Sequence, residues 1–225
     1  MTLRLSDYPF IVVMMGIASL SMMGPALYAF SLNDFTGARA FFYGAILFSL
    51  LTVLLGIATQ HDRPSSIARS QLTALLAAFS VLPLMLAVPF HEAAQGVAFG
   101  DAWFEMVSSF TTTGATLFDN PRNLTRPLHL WRAMVGWMGG LLIWVAAASI
   151  LAPMNLGGFE VRSTATAGQG ATDFRQFARS ADPSERLTRF AAKLVPLYAG
   201  LTVLLWSGLT ILGEVPFVAL CHAMS

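Results

Sequence analysis

The run Thr111-Thr112-Thr113-Gly114-Ala115-Thr116 closes an apolar piece too short to cross a bilayer and lies between two segments long enough to do so. Small residues around one glycine, held at that depth, suit a site where main-chain carbonyls replace the water shell of an ion. Such a chain must run extended with its carbonyls turned inward, and Gly114 can take a positive φ without a Cβ clash. The threonine hydroxyls can tie the loop to its surroundings. Thr-rich turns with one glycine are common in loops, so placement carries the weight of the argument. The expected ion-binding residues are Thr111, Thr112, Thr113 and Gly114.

Placement rests on the apolar runs. The chain is 56% hydrophobic and 11% charged, with a mean hydropathy of +0.65, far from the usual range for a soluble domain. At about 20 residues per crossing, spans are expected at Phe10–Ser31, Phe41–Thr59, Gln71–Phe90, Trp131–Ala152 and Phe190–Leu212. The first run is too long for the apolar part of a cleaved signal, and only Arg4 precedes it. Nine of the 13 basic residues fall on one side of these spans, which puts the N-terminus and the long loop after Pro153 in the cytoplasm and the threonine run outside. A net charge of +1 without a dense basic run argues against nucleic acid as a partner.

The first two spans read as a hairpin joined by Leu32-Asn33-Asp34-Phe35-Thr36-Gly37, and His61 to Ser66 breaks the chain before the third. Between residues 91 and 130 the one apolar piece, Ala102 to Phe110, reads as a helix of half-membrane length with Asp101 as its N-cap. A backbone that dips in and returns needs protein or a watery cavity around it. The helix would point its C-terminus inward, where its partial negative charge favours a cation. The pattern of span, short helix and span restarts near Phe190, followed by Gly213-Glu214-Val215-Pro216 and a short piece from Phe217 to Ser225. Aligned at an offset of 116, Trp103 to Ser109 faces Ala219 to Ser225, and only Ser109 and Ser225 are identical.

Other residues admit two readings. Asp101, Glu105 and Asp119 bracket the threonine run and would concentrate cations at its mouth, or serve as a helix cap, a hydrogen-bonded helix residue and a turn former. Gly136 and Gly140 have the small-xxx-small spacing of close helix packing, which outweighs a hinge. His91-Glu92-Ala93-Ala94-Gln95 lacks the second histidine of a zinc-protease helix, and no Ser/His/Asp set, phosphate-cradling glycine loop or paired intramembrane carboxylates points to an enzyme. Pro196 is expected to kink the last span, the five tryptophans to anchor span ends, and Cys221 to be a buried thiol. The Ser/Thr/Gly run Ser163 to Gly170 reads as a solvated loop.

The stretch Phe104-Glu105-Met106-Val107-Ser108-Ser109-Phe110 leading into the threonine run resembles the Trk/Ktr/HKT superfamily of potassium transporters, most of all its TrkH branch. So do Gly139-Gly140, Met154-Asn155-Leu156-Gly157-Gly158 and the final Leu220 to Ser225. The resemblance implies an all-α integral membrane protein: a two-helix N-terminal hairpin, then repeats of span, re-entrant pore helix and span, the second incomplete. In numbers these are a hairpin over 1–70, a first pore repeat over 71–155, a cytoplasmic loop over 156–186 and the start of a second repeat over 187–225. It further implies potassium uptake across a bacterial inner membrane, with K+ ligated by the carbonyls of Thr112 and Thr113 flanked by Thr111 and Gly114. A glycine at 114, where some plant relatives have serine, implies preference for potassium over sodium. A homodimer and a cytoplasmic nucleotide-binding regulator of the TrkA type are the implied partners. With one complete repeat the chain departs from the four-repeat pore, so it is expected to be a fragment of a longer product or to need partners. The competing expectation is a non-transporting, partner-binding membrane protein that keeps the architecture.

Overall fold

Long apolar runs become helices because a helix satisfies its own backbone hydrogen bonds where lipid offers none. The structure is a computed structural model and describes residues 8–59, 67–120, 124–147 and 183–225. Among these it contains helices α1 Phe10–Ser21, α2 Met23–Ser31, α3 Phe35–Thr59, α4 Ile67–Ala93, α5 Phe99–Phe110, α6 Arg126–Ala146, α7 Pro183–Ile211 and α8 Pro216–Met224. Five stretches are long and apolar enough to cross a membrane: Phe10–Ser31, Phe35–Thr59, Thr73–Ala93, Arg126–Ala146 and Phe190–Ile211. The chain is thus a multi-pass helical membrane protein.

The first span is broken at Met22. Pro25 has no N–H to offer the carbonyl of Ser21, so the ladder is interrupted one turn earlier. Asp34 ends the hairpin turn by accepting the Gly37 N–H at 2.9 Å, which starts α3 at Phe35, six residues before the apolar run suggests. Pro83 and Pro89 lie inside α4, and Pro196 lies inside α7 without ending it. The break at His61 to Ser66, Arg4, Met154 to Gly158, the final residues of the fourth expected span and the loop up to residue 182 lie outside the described residues. The helix that carries the last span begins at Pro183, inside the expected loop.

The core forms where α4, α5 and α6 meet α1 to α3. Met22, Phe41, Leu82, Leu86, Phe90, Met106, Phe110, Leu128 and Trp131 are fully or almost fully buried there. Trp131 donates its indole N–H to the Leu86 carbonyl at 3.2 Å and meets the ring of Phe41 edge-on. It is therefore a core tie between α4 and α6 rather than an interfacial anchor, a correction to the expectation from its position near a span end. The apolar faces of α3 and α7 are exposed, with Leu47, Leu50, Leu54, Leu201, Leu204 and Ile211 among them.

Candidate functional site

The short helix α5 runs antiparallel to α4. Phe99 at its start meets His91 near the end of α4, and Phe110 at its finish meets Phe79, with ring centroids 5.7 and 5.3 Å apart. At 1.5 Å per residue α5 descends about 18 Å along α4. Its last turn then lies against the middle of α6: the Ser109 carbonyl sits 3.5 Å from where a Cβ on Gly136 would be, and the Phe110 carbonyl occupies the Cβ position of Gly139. Gly136 is ten residues from either end of α6. The chain returns to α6's first turn, where Thr125, Ala93 and Val97 line one crevice. It leaves and comes back on the same end of the α4–α6 pair.

The helix begins at Phe99, not Ala102, and its N-cap position is Ala98, with no side chain capping it. Asp101 therefore lies within the first turn, exposed, and the expected cap is not found. At the other end Thr111 follows the last helical residue, and Thr112 and Thr113 donate their N–H groups to the carbonyls of Ser109 and Ser108 at 3.0 and 2.9 Å. This turn places Thr112 at φ 55°, a left-handed conformation unusual for a β-branched residue. Gly114 follows at φ 77°. Positive φ thus recurs at alternate residues, which turns successive peptide units in a way that a regular strand or helix does not.

Side chains fix both limbs of this loop. Thr111 Oγ1 donates to the Val107 carbonyl at 2.8 Å and lies 2.7 Å from Thr113 Oγ1. Ser108 Oγ donates to the Ala115 carbonyl at 2.6 Å. Glu105 Oε1 accepts the Thr116 hydroxyl at 2.7 Å and the Leu117 N–H at 2.6 Å. Its other oxygen lies 2.9 Å from Nη2 of Arg132 on α6, an ion pair in which the Glu105 side chain is fully buried. Glu105 therefore supports the loop and is not a cation attractor at its mouth; Asp119 is exposed.

The structure brings Thr111, Thr112, Thr113 and Gly114 together in one exposed loop. Among the described residues, none of their four carbonyls accepts a hydrogen bond, whereas the next one, Ala115, is taken by Ser108. Unpaired backbone at the mid-depth of two spans is tolerated where it lines a watery cavity or meets a cation. The sequence leaves Glu105 open to two roles and carries no signal for the left-handed Thr112.

The second short helix ends at the same place. Met224 O and Ser225 Cα both lie 3.9 Å from the Cβ position of Gly136, beside the Ser109 carbonyl. The two serines paired by the offset alignment thus converge on one glycine. Tyr198 of α7 puts its hydroxyl 2.6 Å from the Cβ position of Gly140, with Thr112 Cγ2 at 3.7 Å from the same point. The packing role expected of Gly136 and Gly140 is the one observed. Cys221, expected to be buried, is only half-buried.

These elements define an all-helical, multi-pass membrane protein in which a short helix and a polar loop are inserted between full-length spans. No protein-family model matches the chain. It is similar to the Trk system potassium uptake protein TrkH of Halomonas elongata, with 32% identity over 151 residues, 67% of this chain and 29% of the relative. TrkH of Vibrio parahaemolyticus is 24% identical over 216 residues, 95% of this chain and 42% of the relative. The crystal structure of the potassium transporter TrkH from the same organism has the same fold, with a TM-score of 0.75 over 99% of this chain and 42% of that one, at 22% identity. The chain is thus similar to Trk potassium uptake proteins over most of its length, and it spans less than half the length of these relatives.

Proposed function

We propose that the chain forms part of a potassium-translocating pore in which the carbonyls of Thr112 and Thr113, flanked by Thr111 and Gly114, ligate K+. No covalent chemistry is involved. The observation that carries this reading is the exposed run Thr111 to Gly114, whose four carbonyls have no hydrogen-bond partner among the described residues and which follows a short helix ending against the middle of α6. The positive φ at Thr112 and Gly114 makes this run a turned loop in place of the extended strand expected from the sequence, and the dipole of α5 adds partial negative charge at its end. The relatives' names support potassium as the ion.

In this reading α5 is a re-entrant pore helix, and α7 with α8 opens a second copy of the same unit. The first pore repeat then begins with α4 at Ile67 and the second with α7 at Pro183, four residues ahead of the sequence boundaries at 71 and 187 in each case. One strand cannot encircle an ion, so further strands complete the ring, from the same polypeptide or from a partner. The protein sits in a bacterial inner membrane with its N-terminus in the cytoplasm, assembles as a homodimer and answers to a cytoplasmic nucleotide-binding subunit of the TrkA type.

The test is Gly114→Ser in the natural full-length polypeptide, produced in cells that lack their own potassium uptake. Wild type is expected to restore growth on low potassium, and the variant to lose discrimination against sodium. Restored growth with unchanged discrimination removes Gly114 from the site, and no growth with the wild type ends the transport reading.

A further inference from the structure

The loop is held at two points, and the second uses a buried charge pair. After α5, the backbone bonds of Thr112 and Thr113 hold the first limb. Ala115, Thr116 and Leu117 are held by Ser108 and Glu105. Gly114 alone lies between the two anchors. The first limb's bonds hold the peptide units that carry the Thr111 and Thr112 carbonyls, and the second limb holds the side of the run that carries Thr113 and Gly114.

Glu105 is the centre of the second anchor. One carboxylate oxygen takes two donors from consecutive residues, and the other faces Arg132 of α6. A buried ion pair carries a desolvation penalty that packing alone does not require. What a charged acceptor adds is a stiffer hydrogen bond to the N–H of Leu117 and the hydroxyl of Thr116. Arg132 holds that charge in place from α6 and balances it. In the second short helix the position aligned with Glu105 is Cys221, so the device belongs to the first copy.

We infer that Glu105 and Arg132 are a positioning pair that fixes the Thr116–Leu117 limb and thereby sets how sharply the threonine loop discriminates among monovalent cations. This rests on the proposed pore. Neither residue touches the ion; both act through the loop. Arg132 offers Glu105 a single contact through Nη2, and its Nε has no partner among the described residues, so lysine can supply the same charge.

The experiment measures radioactive rubidium uptake with sodium as competitor, in the full-length polypeptide and normalised to membrane abundance. Glu105→Gln strands the arginine and weakens the anchor: abundance falls, and potassium-over-sodium discrimination drops about tenfold, the worth of one charged hydrogen bond. The double variant Glu105→Gln with Arg132→Gln leaves no stranded charge, so abundance returns while discrimination stays low. Arg132→Lys keeps both near wild type. Wild-type discrimination in the double variant overturns the inference and leaves a purely structural pair. Loss of discrimination in Arg132→Lys also overturns it, because the charge would then not be what matters. A wild type that takes up no rubidium removes the underlying pore reading instead.

Discussion

The two short helices end against the same glycine of α6, yet they are held by different means. α5 is locked from three sides: its last carbonyl is seated in the space left by Gly139, Glu105 is bound to the returning loop and α6, and Phe110 meets Phe79. α8 is held by contacts at its first turn, with the Phe217 ring stacked on Tyr28 at 5.2 Å and under Arg126 at 6.0 Å. The indole of Trp206 donates to the Pro216 carbonyl at 2.9 Å. One geometry can therefore be reached with a buried charge and a backbone-to-backbone seat, or with ring contacts near the surface. The first fixes a loop; the second fixes only a helix start.

The sharpest break of this comparison is Gly139→Ala. An added methyl would overlap the Phe110 backbone carbonyl, which cannot rotate away as a side chain would. α5 must shift as a body, at a cost of at least about 3 kcal/mol, the upper range for overpacking. Gly200→Ala in α7 meets nothing within 4 Å and is expected to be neutral or to gain about 0.5–1 kcal/mol of helix stability. Melting temperatures in detergent separate the two. Similar losses for both would show that α7 is as tightly seated as α5.

Much of this fold is legible in the sequence because long apolar runs have one solution in lipid. The errors fall where polar residues extend a helix past its apolar run. α3 starts at Phe35 because Asp34 caps it, and α5 starts at Phe99 rather than Ala102. The candidate loop is visible through Gly114 and its threonines. Its supports are not, because Glu105 and Arg132 are 27 residues apart and no helical spacing joins them. Nor does sequence distinguish Gly139, the seat of α5, from its neighbours Gly136 and Gly140. Thr112 is the plainest case: the left-handed turn residue at a helix end is usually glycine, so the sequence pointed to Gly114 alone.

Thr112→Gly sharpens the contrast between stability and function within the first copy. A left-handed β-branched residue carries about 1–2 kcal/mol of strain, and Thr112 bears it at φ 55°. Glycine should raise the unfolding free energy by about 1 kcal/mol while letting the peptide swing, so cation discrimination falls. A stabilised variant that discriminates as well as wild type would show the strain to be incidental.

The smallest effect is expected at Trp206. Phenylalanine keeps most of the ring and removes the N–H that reaches Pro216. That hydrogen bond is exposed, with Trp206 37% accessible, so water replaces it and the loss is about 0.5–1 kcal/mol. The signature is local: a protease applied to the membrane-embedded protein should cut faster between Leu212 and Val215, while the melting temperature hardly changes. If Trp206→Phe instead melts the whole protein as early as Gly139→Ala, α8 is not the loosely held copy, and the difference between the two short helices lies in their chemistry and not in their stability.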